Sequence, residues 1–227
     1  MYCRISLVAL GMLFIGCDNA GGPVAPTTVT QDVVANASGV RFNGRSVGVE
    51  ASLREENSTI CDTGRLPQDG GQLNKSEQNA TIEDAFSAAN VSCITTGLTR
   101  SNGEHRASGE STVAKLVLRV GGNTITADRV HAMVAAACPA DGPTRNNGHL
   151  TFTNLVVNGR SIAVPLNARN RRIDLPNGFL VIGQQRDWAI RGSAGHSIDG
   201  LRVVIEQPEQ AADVKLARVH VHVECPT

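Results

Sequence analysis

Aromatic side chains are scarce in this sequence of 227 residues, which holds one Trp, one Tyr and five Phe, or 3% of the chain. A packed core must therefore come mainly from smaller aliphatic side chains. An excess of either charge is also missing, because 21 basic residues balance 21 acidic ones. That balance argues against electrostatic binding of nucleic acid. Hydrophobic residues (41%) are too scattered for a polytopic membrane protein, and charged residues (19%) are too few for a disordered tail.

Several familiar catalytic and ligand-binding motifs are absent as well. The sequence contains no P-loop, no H-E-x-x-H zinc motif, no EF-hand loop and no dinucleotide fingerprint. Strands do not alternate with long amphipathic helices, so a doubly wound nucleotide-binding sheet is not expected. The sequence therefore implies no cofactor, and we expect a protein that is not an enzyme.

The N-terminus has the pattern of an export signal. Arg4 precedes the apolar stretch from Ile5 to Gly16, which is too short to span a bilayer. The stretch ends in Phe14-Ile15-Gly16-Cys17, which resembles the bacterial lipoprotein box, in which the Cys becomes the lipid-modified N-terminus. We predict a signal peptide over residues 1–16 and lipidation at Cys17. The alternatives are an ordinary secretory signal with an incidental Cys, or an uncleaved anchor.

The predicted signal peptide and lipidation site divide the chain into three parts. After the signal peptide, residues 17–33 hold the lipidated Cys and a flexible tether rich in Gly, Pro, Thr and Asn. Residues 34–227 then form a single β-rich extracytoplasmic domain, which is long enough to bury near 70% of the surface of its unfolded chain. The predicted location is the bacterial cell envelope, on the periplasmic face of a membrane or at the cell surface.

Four cysteines remain in the exported domain, and an even number in an oxidising compartment indicates two disulfides. Spacing alone allows three connectivities. Apolar residues alternate from Val130 to Cys138 and again from Val219 to Cys225. Each of these two cysteines is therefore the last residue of a strand face that we expect to point into the core. We predict a Cys138–Cys225 disulfide and, by remainder, a Cys61–Cys93 disulfide. No C-x-x-C pair is present, and a metal site made from these thiols is not expected.

Alternating strands separated by turn residues dominate the domain. The clearest hairpin runs from Leu150 to Val164 about Asn158-Gly159, with Val157 opposite Arg160, Leu155 opposite Ile162 and Thr153 opposite Val164. The segment Gly39 to Val49 repeats its Asn-Gly-Arg-Ser sequence and predicts a second hairpin. The other predicted strands are Ser111 to Val120, Thr124 to Cys138, Arg172 to Leu175, Gly178 to Gln184, Asp187 to Arg191, Leu201 to Glu206 and Val214 to Cys225.

This spacing predicts an all-β domain, an antiparallel β-sandwich or a barrel-like domain with hairpins. The domain contains at most one short helix. The segment Thr81 to Ala89 is the candidate for this helix, because Ile82, Ala85 and Phe86 have helical spacing.

The order of the strands and turns carries a family resemblance over most of residues 35 to 225. The matching segments are Gly39-Val40, Val113 to Leu118, Ile125 to Asp128, Leu155 to Gly159, Ile173 to Pro176, Ile198 to Leu201 and Val223 to Cys225. In this order the chain resembles the choice-of-anchor P family of bacterial surface domains. The resemblance implies a β-rich extracytoplasmic domain of unknown activity, with no catalytic residues to transfer. The anchor of this chain would be Cys17, because no apolar tail follows Cys225.

Three constellations are candidates for a site. Ser46 lies in Gly44-Arg45-Ser46-Val47-Gly48, a G-x-S-x-G sequence, but we expect it on a hairpin arm and not on the strand-to-helix elbow of a hydrolase. His220, His222 and Glu224 alternate on one strand face and are weak metal candidates, with His131 as a further donor. A hydrated outer face is the simpler interpretation of this trio.

Arg169, Arg171 and Arg172 form a basic cluster between strands, which suits phosphate-bearing glycans or is simply hydrated. Taken together, the sequence favours an envelope lipoprotein whose β domain is a structural or binding module. Its expected partners are a membrane, through the lipid, and an envelope protein or glycan. The alternative is an envelope hydrolase or metal-binding protein that uses Ser46 or the His220/His222/Glu224 face.

Overall fold

Antiparallel strands account for 72% of the residues in the computed structural model, which describes residues 39–54 and 56–226. The predicted signal peptide, Cys17 and the tether lie outside these residues. Within them the strands are β1 (Arg41–Leu53), β2 (Glu56–Asp62), β3 (Gly71–Ile82), β4 (Phe86–Thr99), β5 (His105–Val120), β6 (Asn123–Cys138), β7 (Arg145–Thr153), β8 (Val156–Val157), β9 (Arg160–Ser161), β10 (Arg171–Leu175), β11 (Gly178–Ile190), β12 (Ser193–Ile205) and β13 (Ala212–Glu224).

The strands form two sheets that pack face to face. One sheet has six strands in the order β10-β11-β12-β13-β1-β2, and the other has seven, in the order β3-β4-β5-β6-β8-β9 with β7 also paired to β6. Strands on either side of the interface contribute one core of Val, Leu, Ile and Ala. Both sheets keep free edges, so the domain is a β-sandwich and not a closed barrel. The all-β prediction is confirmed, and the sandwich is the correct alternative.

Helical structure is almost absent from residues 39–54 and 56–226. A three-residue 3₁₀ turn at Pro208–Gln210 is the helical element there. In this part of the chain, no helix has the length and hydropathy needed to cross a bilayer.

A transverse crease crosses both sheets. In the six-stranded sheet, Cys61, Ala217 and Gly183 lie in one row across the strands and have positive φ angles of 56°, 50° and 63°. The seven-stranded sheet has a similar row with Asn79 and Lys115 at φ of 51° and 54°. The pairing register is the same on both sides of each row, so the crease is a local backbone bend within paired strands.

The crease shifts the alternation of side chains by one residue. Inward-facing residues follow each other at a spacing of two within each half-strand but at a spacing of three across the crease. On β13 the step is from Leu216 to Val219, and on β6 it is from Ala127 to Val130; all four side chains are buried. Each long strand therefore buries two short apolar faces that are out of phase with each other.

The hairpin predicted at Asn158-Gly159 is present, but it is short. Asn158 and Gly159 have φ of 49° and 77°, as a type I′ turn requires. Val157 pairs with Arg160, and the Ile162 amide donates to the Leu155 carbonyl at 2.8 Å. The predicted pairing of Thr153 with Val164 is wrong. Thr153 ends β7 and pairs with Arg129 of β6.

The hairpin predicted over Gly39 to Val49 is wrong. Asn43 and Gly44 continue β1 and pair with His222 and Val221. Gly44 is needed there for space: a Cβ at this position would lie 2.8 Å from Thr95 Cγ2 of the facing sheet. The same Asn-Gly dipeptide thus serves a turn in one place and a close approach between sheets in the other.

The short helix considered for Thr81 to Ala89 is also wrong. β3 ends at Ile82 and β4 begins at Phe86, so the segment is a tight hairpin. Ile82 and Phe86 are both buried and pair directly across the turn. Their spacing of four residues matches a helical period, but it arises because the two residues face each other across the three-residue turn between β3 and β4.

The predicted Cys138–Cys225 disulfide is confirmed. It joins the end of β6 in one sheet to the residue after β13 in the other, with 5.6 Å between the Cα atoms and 87 residues between the partners in sequence. The inward faces that predicted it are also present, since Val130, Val134, Val219 and Val223 are fully buried. The bond therefore clamps the two sheets at one end of the sandwich.

The predicted Cys61–Cys93 disulfide is not formed in the structure. Both residues are buried free cysteines. The two thiols are neighbours, and the hydrogen bond with Cys61, followed by burial, raises the pKa of the Cys93 thiol. Cys61 Sγ donates to the Lys75 carbonyl at 3.4 Å, and Cys93 Sγ lies 3.7 Å from Ser111 Oγ. The predicted partners are thus correct as neighbours, and each thiol also contacts a polar group of its surroundings.

Removal of the cross-sheet clamp should destabilise the domain strongly. We expect C138A/C225A to lose about 3 to 5 kcal/mol of unfolding free energy, since the bond closes a long loop. Urea denaturation with and without reductant measures this. C61A/C93A is the matched control and should keep the reductant sensitivity of the wild type. If reductant further destabilises C138A/C225A, the Cys61–Cys93 pair is also bonded and the free-thiol assignment is wrong.

Candidate functional site

Ser46, the possible nucleophile, lies in the interior between the sheets. Its side chain is 0% exposed; its Oγ donates to the Ile94 carbonyl at 2.7 Å and accepts from Thr95 Oγ1 at 2.9 Å. Thr63 Oγ1 lies 3.0 Å from Thr95 Oγ1 and accepts from the Ser46 amide. Because Ser46 lies within β1 and pairs with Val219 of β13, the nucleophile elbow of a hydrolase is not formed here. The hydroxyl satisfies buried polar groups that link β1 to β4.

We expect Ser46→Ala to cost about 1 to 3 kcal/mol of unfolding free energy, because the Thr95 hydroxyl loses its buried acceptor. Thermal unfolding would show this as a lower Tm, while Ser161→Ala, at an exposed position, should change stability by less than about 0.5 kcal/mol. A fluorophosphonate probe should not label the folded chain. Labelling that is abolished by Ser46→Ala would contradict this structural role.

His220 and His222 lie on the outer face of the six-stranded sheet, as their alternation predicted, and the single Trp of the chain lies against them. The ring centroid of Trp188 is 6.3 Å from that of His220 and 5.8 Å from that of His222, with interplanar angles of 30° and 51°. His222 Nε2 is 2.8 Å from Ser193 Oγ. We name Trp188, His220 and His222 the aromatic platform. Trp188 was missed by the sequence reasoning, although it is the single Trp of the chain and lies in a predicted strand.

A glycine allows the Trp188 indole to lie flat over the neighbouring strand. Trp188 pairs with Gly195 on β12, and a Cβ added to Gly195 would lie 2.1 Å from Cζ2 of the indole and 2.5 Å from its Cε2. The six-membered part of the indole therefore lies over the bare backbone of Gly195. Since one face of the ring covers the strand, its opposite face is directed outwards from the sheet.

Polar side chains surround the platform in the same outward rows. Asn43 pairs with His222, and Ser197 pairs with both His220 and Arg186. Arg45 is opposite His220 and binds both carboxylate oxygens of Asp62, at 2.8 and 2.7 Å. The aromatic rings are thus bordered by amide, hydroxyl and guanidinium groups.

The metal site considered for His220, His222 and Glu224 is not assembled. In the described part of the chain, no group of three or more His, Cys, Asp or Glu side chains is placed to hold a metal ion. His131 belongs to the other sheet and lies 3.0 Å from Thr112 Oγ1 through its Nδ1. The imidazoles of His220 and His222 instead contact an aromatic ring.

The basic cluster at 169–172 has partners within the domain. Arg169 pairs with Asp187, Arg171 donates to the Ala163 carbonyl at 2.6 Å, and Arg172 pairs with Asp174 at 2.8 Å. The Arg172 guanidinium also lies 3.8 Å above the ring of Phe179. These contacts leave the cluster without convergent donors for a phosphate.

A charged network lies beside the platform, on the same outer face. Arg218 binds both oxygens of Glu50 at 2.7 and 2.8 Å, Lys215 binds one of them at 3.3 Å, and Arg218 Nε reaches Asp199 at 3.3 Å. Burial acts to raise the pKa of Glu50, but Arg218 and Lys215 outweigh it and the pKa is lowered. Burial raises the pKa of Asp199. The charges of this half of the face are paired with each other.

A second candidate is an open cleft of about 950 Å³ at the end of the sandwich where β13 begins. Leu53, Ile82 and Val120 contribute apolar surface, and Arg119 and Glu83 are among its charged residues. The cleft and the platform lie towards opposite ends of β13. Loops at the ends of a sandwich often carry binding sites, but the described residues that line this cleft bring no buried titratable group to a common point.

Several histidines of the fold have pKa values that are lowered by burial. His196 is 4% exposed, and in the described residues its Nδ1 is buried without a hydrogen-bond partner. Burial lowers its pKa, and Arg169 adds to this while Asp187 opposes it. Burial likewise lowers the pKa of His105, His131 and His220. A lowered folded-state pKa contributes stability that is present above the unfolded value near 6.5 and is lost as pH falls through the folded pKa.

We therefore expect the Tm to fall between pH 7 and pH 5. His196→Gln has a side chain that cannot be protonated, so its Tm should fall less over this range. Each kcal/mol corresponds to about 2 to 4 °C in a domain of this size. Asp199 has the opposite sign, and its raised pKa favours the folded state as pH falls further. A decrease in Tm that is equal in wild type and His196→Gln would contradict the assignment to His196.

These features define an antiparallel β-sandwich with a cross-sheet disulfide and an aromatic platform on one outer face. Residues 49–184, more than half of the chain, match the family described as a domain of unknown function, DUF8256. The chain therefore belongs to the DUF8256 family. No curated protein matches the sequence. The matched range includes β4 and β5, the strands of the other sheet that face Ser46. All three residues of the aromatic platform lie outside the matched range.

Proposed function

We propose that this protein is a lipid-anchored component of a bacterial cell envelope and that its β-sandwich is a binding module. The leader and Cys17 support the anchor, because an apolar stretch of signal-peptide length ends at a lipoprotein-box Cys. The cross-sheet disulfide supports an oxidising compartment. The resemblance to the choice-of-anchor P family stays a prediction consistent with this location.

The observation that carries the binding role is the placement of Trp188. A protein with so few aromatic residues has its single Trp on an outer sheet face, where Trp188 adds nothing to the core between the sheets. Trp residues combine a large apolar surface with an N–H donor and are common where proteins bind partners. His220 and His222 extend this surface across β13. We therefore place the binding face on the outside of the six-stranded sheet.

The proposal does not include an enzymatic activity. Ser46 is occupied by hydrogen bonds inside the sandwich, and His220 and His222 face a Trp ring instead of a set of metal ligands. Catalysis requires groups that converge at a reacting atom. The platform offers a broad contact surface, which is suited to recognition.

Replacement of Cys17 with Ser should release the chain from membranes. The reason is that lipidation supplies about 0.8 kcal/mol per buried methylene, and stable attachment needs more than one acyl chain. Membrane fractionation after a carbonate wash, with mass spectrometry of the N-terminal peptide, measures the effect. Cys3→Ser is the matched control, since Cys3 would leave with the signal peptide, and it should remain membrane-bound. Cys17→Ser protein that still sediments with membranes would contradict the anchor.

A further inference from the structure

The aromatic platform deepens the proposed binding function, on which this inference rests, because its chemistry selects one kind of ligand. The outward face of the Trp188 indole is a flat, electron-rich surface. Planar aromatic rings attract weakly positive hydrogens that lie over the ring face. A pyranose ring presents such C–H groups on one side and hydroxyl groups around its rim.

We propose that the aromatic platform binds a neutral pyranose oligosaccharide, with one sugar ring stacked on Trp188. Ser197 lies on the neighbouring strand β12, and His222 and Asn43 follow on β13 and β1; these side chains supply donors and acceptors for hydroxyls of a sugar chain that extends across the strands. The rows of the platform cross four strands from β11 to β1, a width of about 14 Å. That width is sufficient for more than one sugar unit.

The charges around the platform favour a neutral ligand. Arg45 donates to both carboxylate oxygens of Asp62, and Glu224 is opposite Arg41 in the register of β1 and β13. The network of Glu50, Lys215 and Arg218 next to it is internally paired. Burial, followed by His222 and Arg218, lowers the pKa of His220, which keeps this imidazole uncharged near neutral pH. Arg186, opposite Ser197, is exposed and has no ion pair among the described residues. The other charges named here have an opposite charge beside them, so the rings and their paired surroundings complement a polyhydroxylated ligand without net charge.

The simpler interpretation is that Trp188 only covers the strand below it. An aromatic side chain that lies over a glycine of the neighbouring strand can stabilise a sheet by itself, and the oligosaccharide titration below separates this role from binding. Here the glycine removes the Cβ that would tilt the ring, and the result is an indole that lies flat against the sheet. Ile190, two residues further along β11 on the same outward face, is 63% exposed and widens the apolar surface around the indole.

Trp188 also reports on the site directly, because it is the single Trp of the chain. The full chain, solubilised in a detergent without a sugar headgroup, is titrated with chitohexaose, cellohexaose and maltohexaose while indole emission is recorded. We expect a saturable change in emission with at least one of these oligosaccharides. If none of the three changes the emission and calorimetry detects no binding, the proposal is overturned.

Variants then locate the binding site by calorimetry. Trp188→Ala should weaken binding at least about tenfold, the scale of a lost stacking contact, and Trp188→Phe should retain more affinity than Trp188→Ala. Gly195→Ala keeps the indole but lifts it from the sheet, and it should also weaken binding. Phe179→Ala is the matched control, because this outer-face aromatic of the same strand is already covered by Arg172. Its affinity should stay within about twofold of the wild type.

Binding that is unchanged in Trp188→Ala, or weakened equally in Phe179→Ala, would overturn the assignment to the platform. Thermal unfolding of each variant separates a lost contact from a lost fold. The result is also distinguishable from a failure of the anchor. A chain that binds oligosaccharide but is not lipidated retains this inference, whereas a lipidated chain that binds none of the oligosaccharides retains only the anchor.

Discussion

The crease that crosses both sheets is the constraint on which the rest of the sandwich depends. At each crease the backbone of alternate strands adopts positive φ, including non-glycine residues such as Lys115 and Ala217. This conformation costs of order 1 kcal/mol per residue, so the surrounding pairing and packing must maintain it. The crease changes which residues face inward, and both the apolar core and the outward rows with Trp188 and His220 follow from that change.

The crease also explains where the prediction from sequence succeeded. Within each half-strand the alternation of inward and outward side chains is regular. The sequence therefore predicted the inward faces that end at Cys138 and Cys225, and it predicted the outward position of His220 and His222. The all-β class and the disulfide between the sheets followed from these local patterns. Most of the fold class could therefore be predicted from short-range chemistry.

The errors have a different physical origin. Asn43-Gly44 was assigned to a turn because the dipeptide favours one, but the glycine is required by the proximity of Thr95 on the other sheet. Ile82 and Phe86 have a helical spacing that arises from a hairpin. The platform was missed because Trp188 and Gly195 lie on different strands, and their contact depends on register. In each case the deciding neighbour is distant in sequence.

The interior combines a modest apolar core with buried hydroxyls and thiols. Ser46, Thr95 and Ser111 bridge the sheets through hydrogen bonds to backbone carbonyls or to each other. Fully satisfied buried polar groups specify one arrangement of the sheets, since a shifted arrangement leaves them unpaired. A core of small aliphatic residues permits many packings, and these bonds, with the Cys138–Cys225 clamp, select one.

The position of that clamp has a mechanical consequence. The described chain enters β1 at Arg41, which pairs with Glu224, the residue before Cys225. Trp188 lies in the neighbouring row of the same sheet, connected through Gly195, His222 and Asn43. Tension between an attachment at the N-terminus and a load held at the indole would therefore pass across three strand ladders of one sheet. The Cys138–Cys225 bond lies beside the point where that tension would enter and ties it covalently to β6 of the opposite sheet.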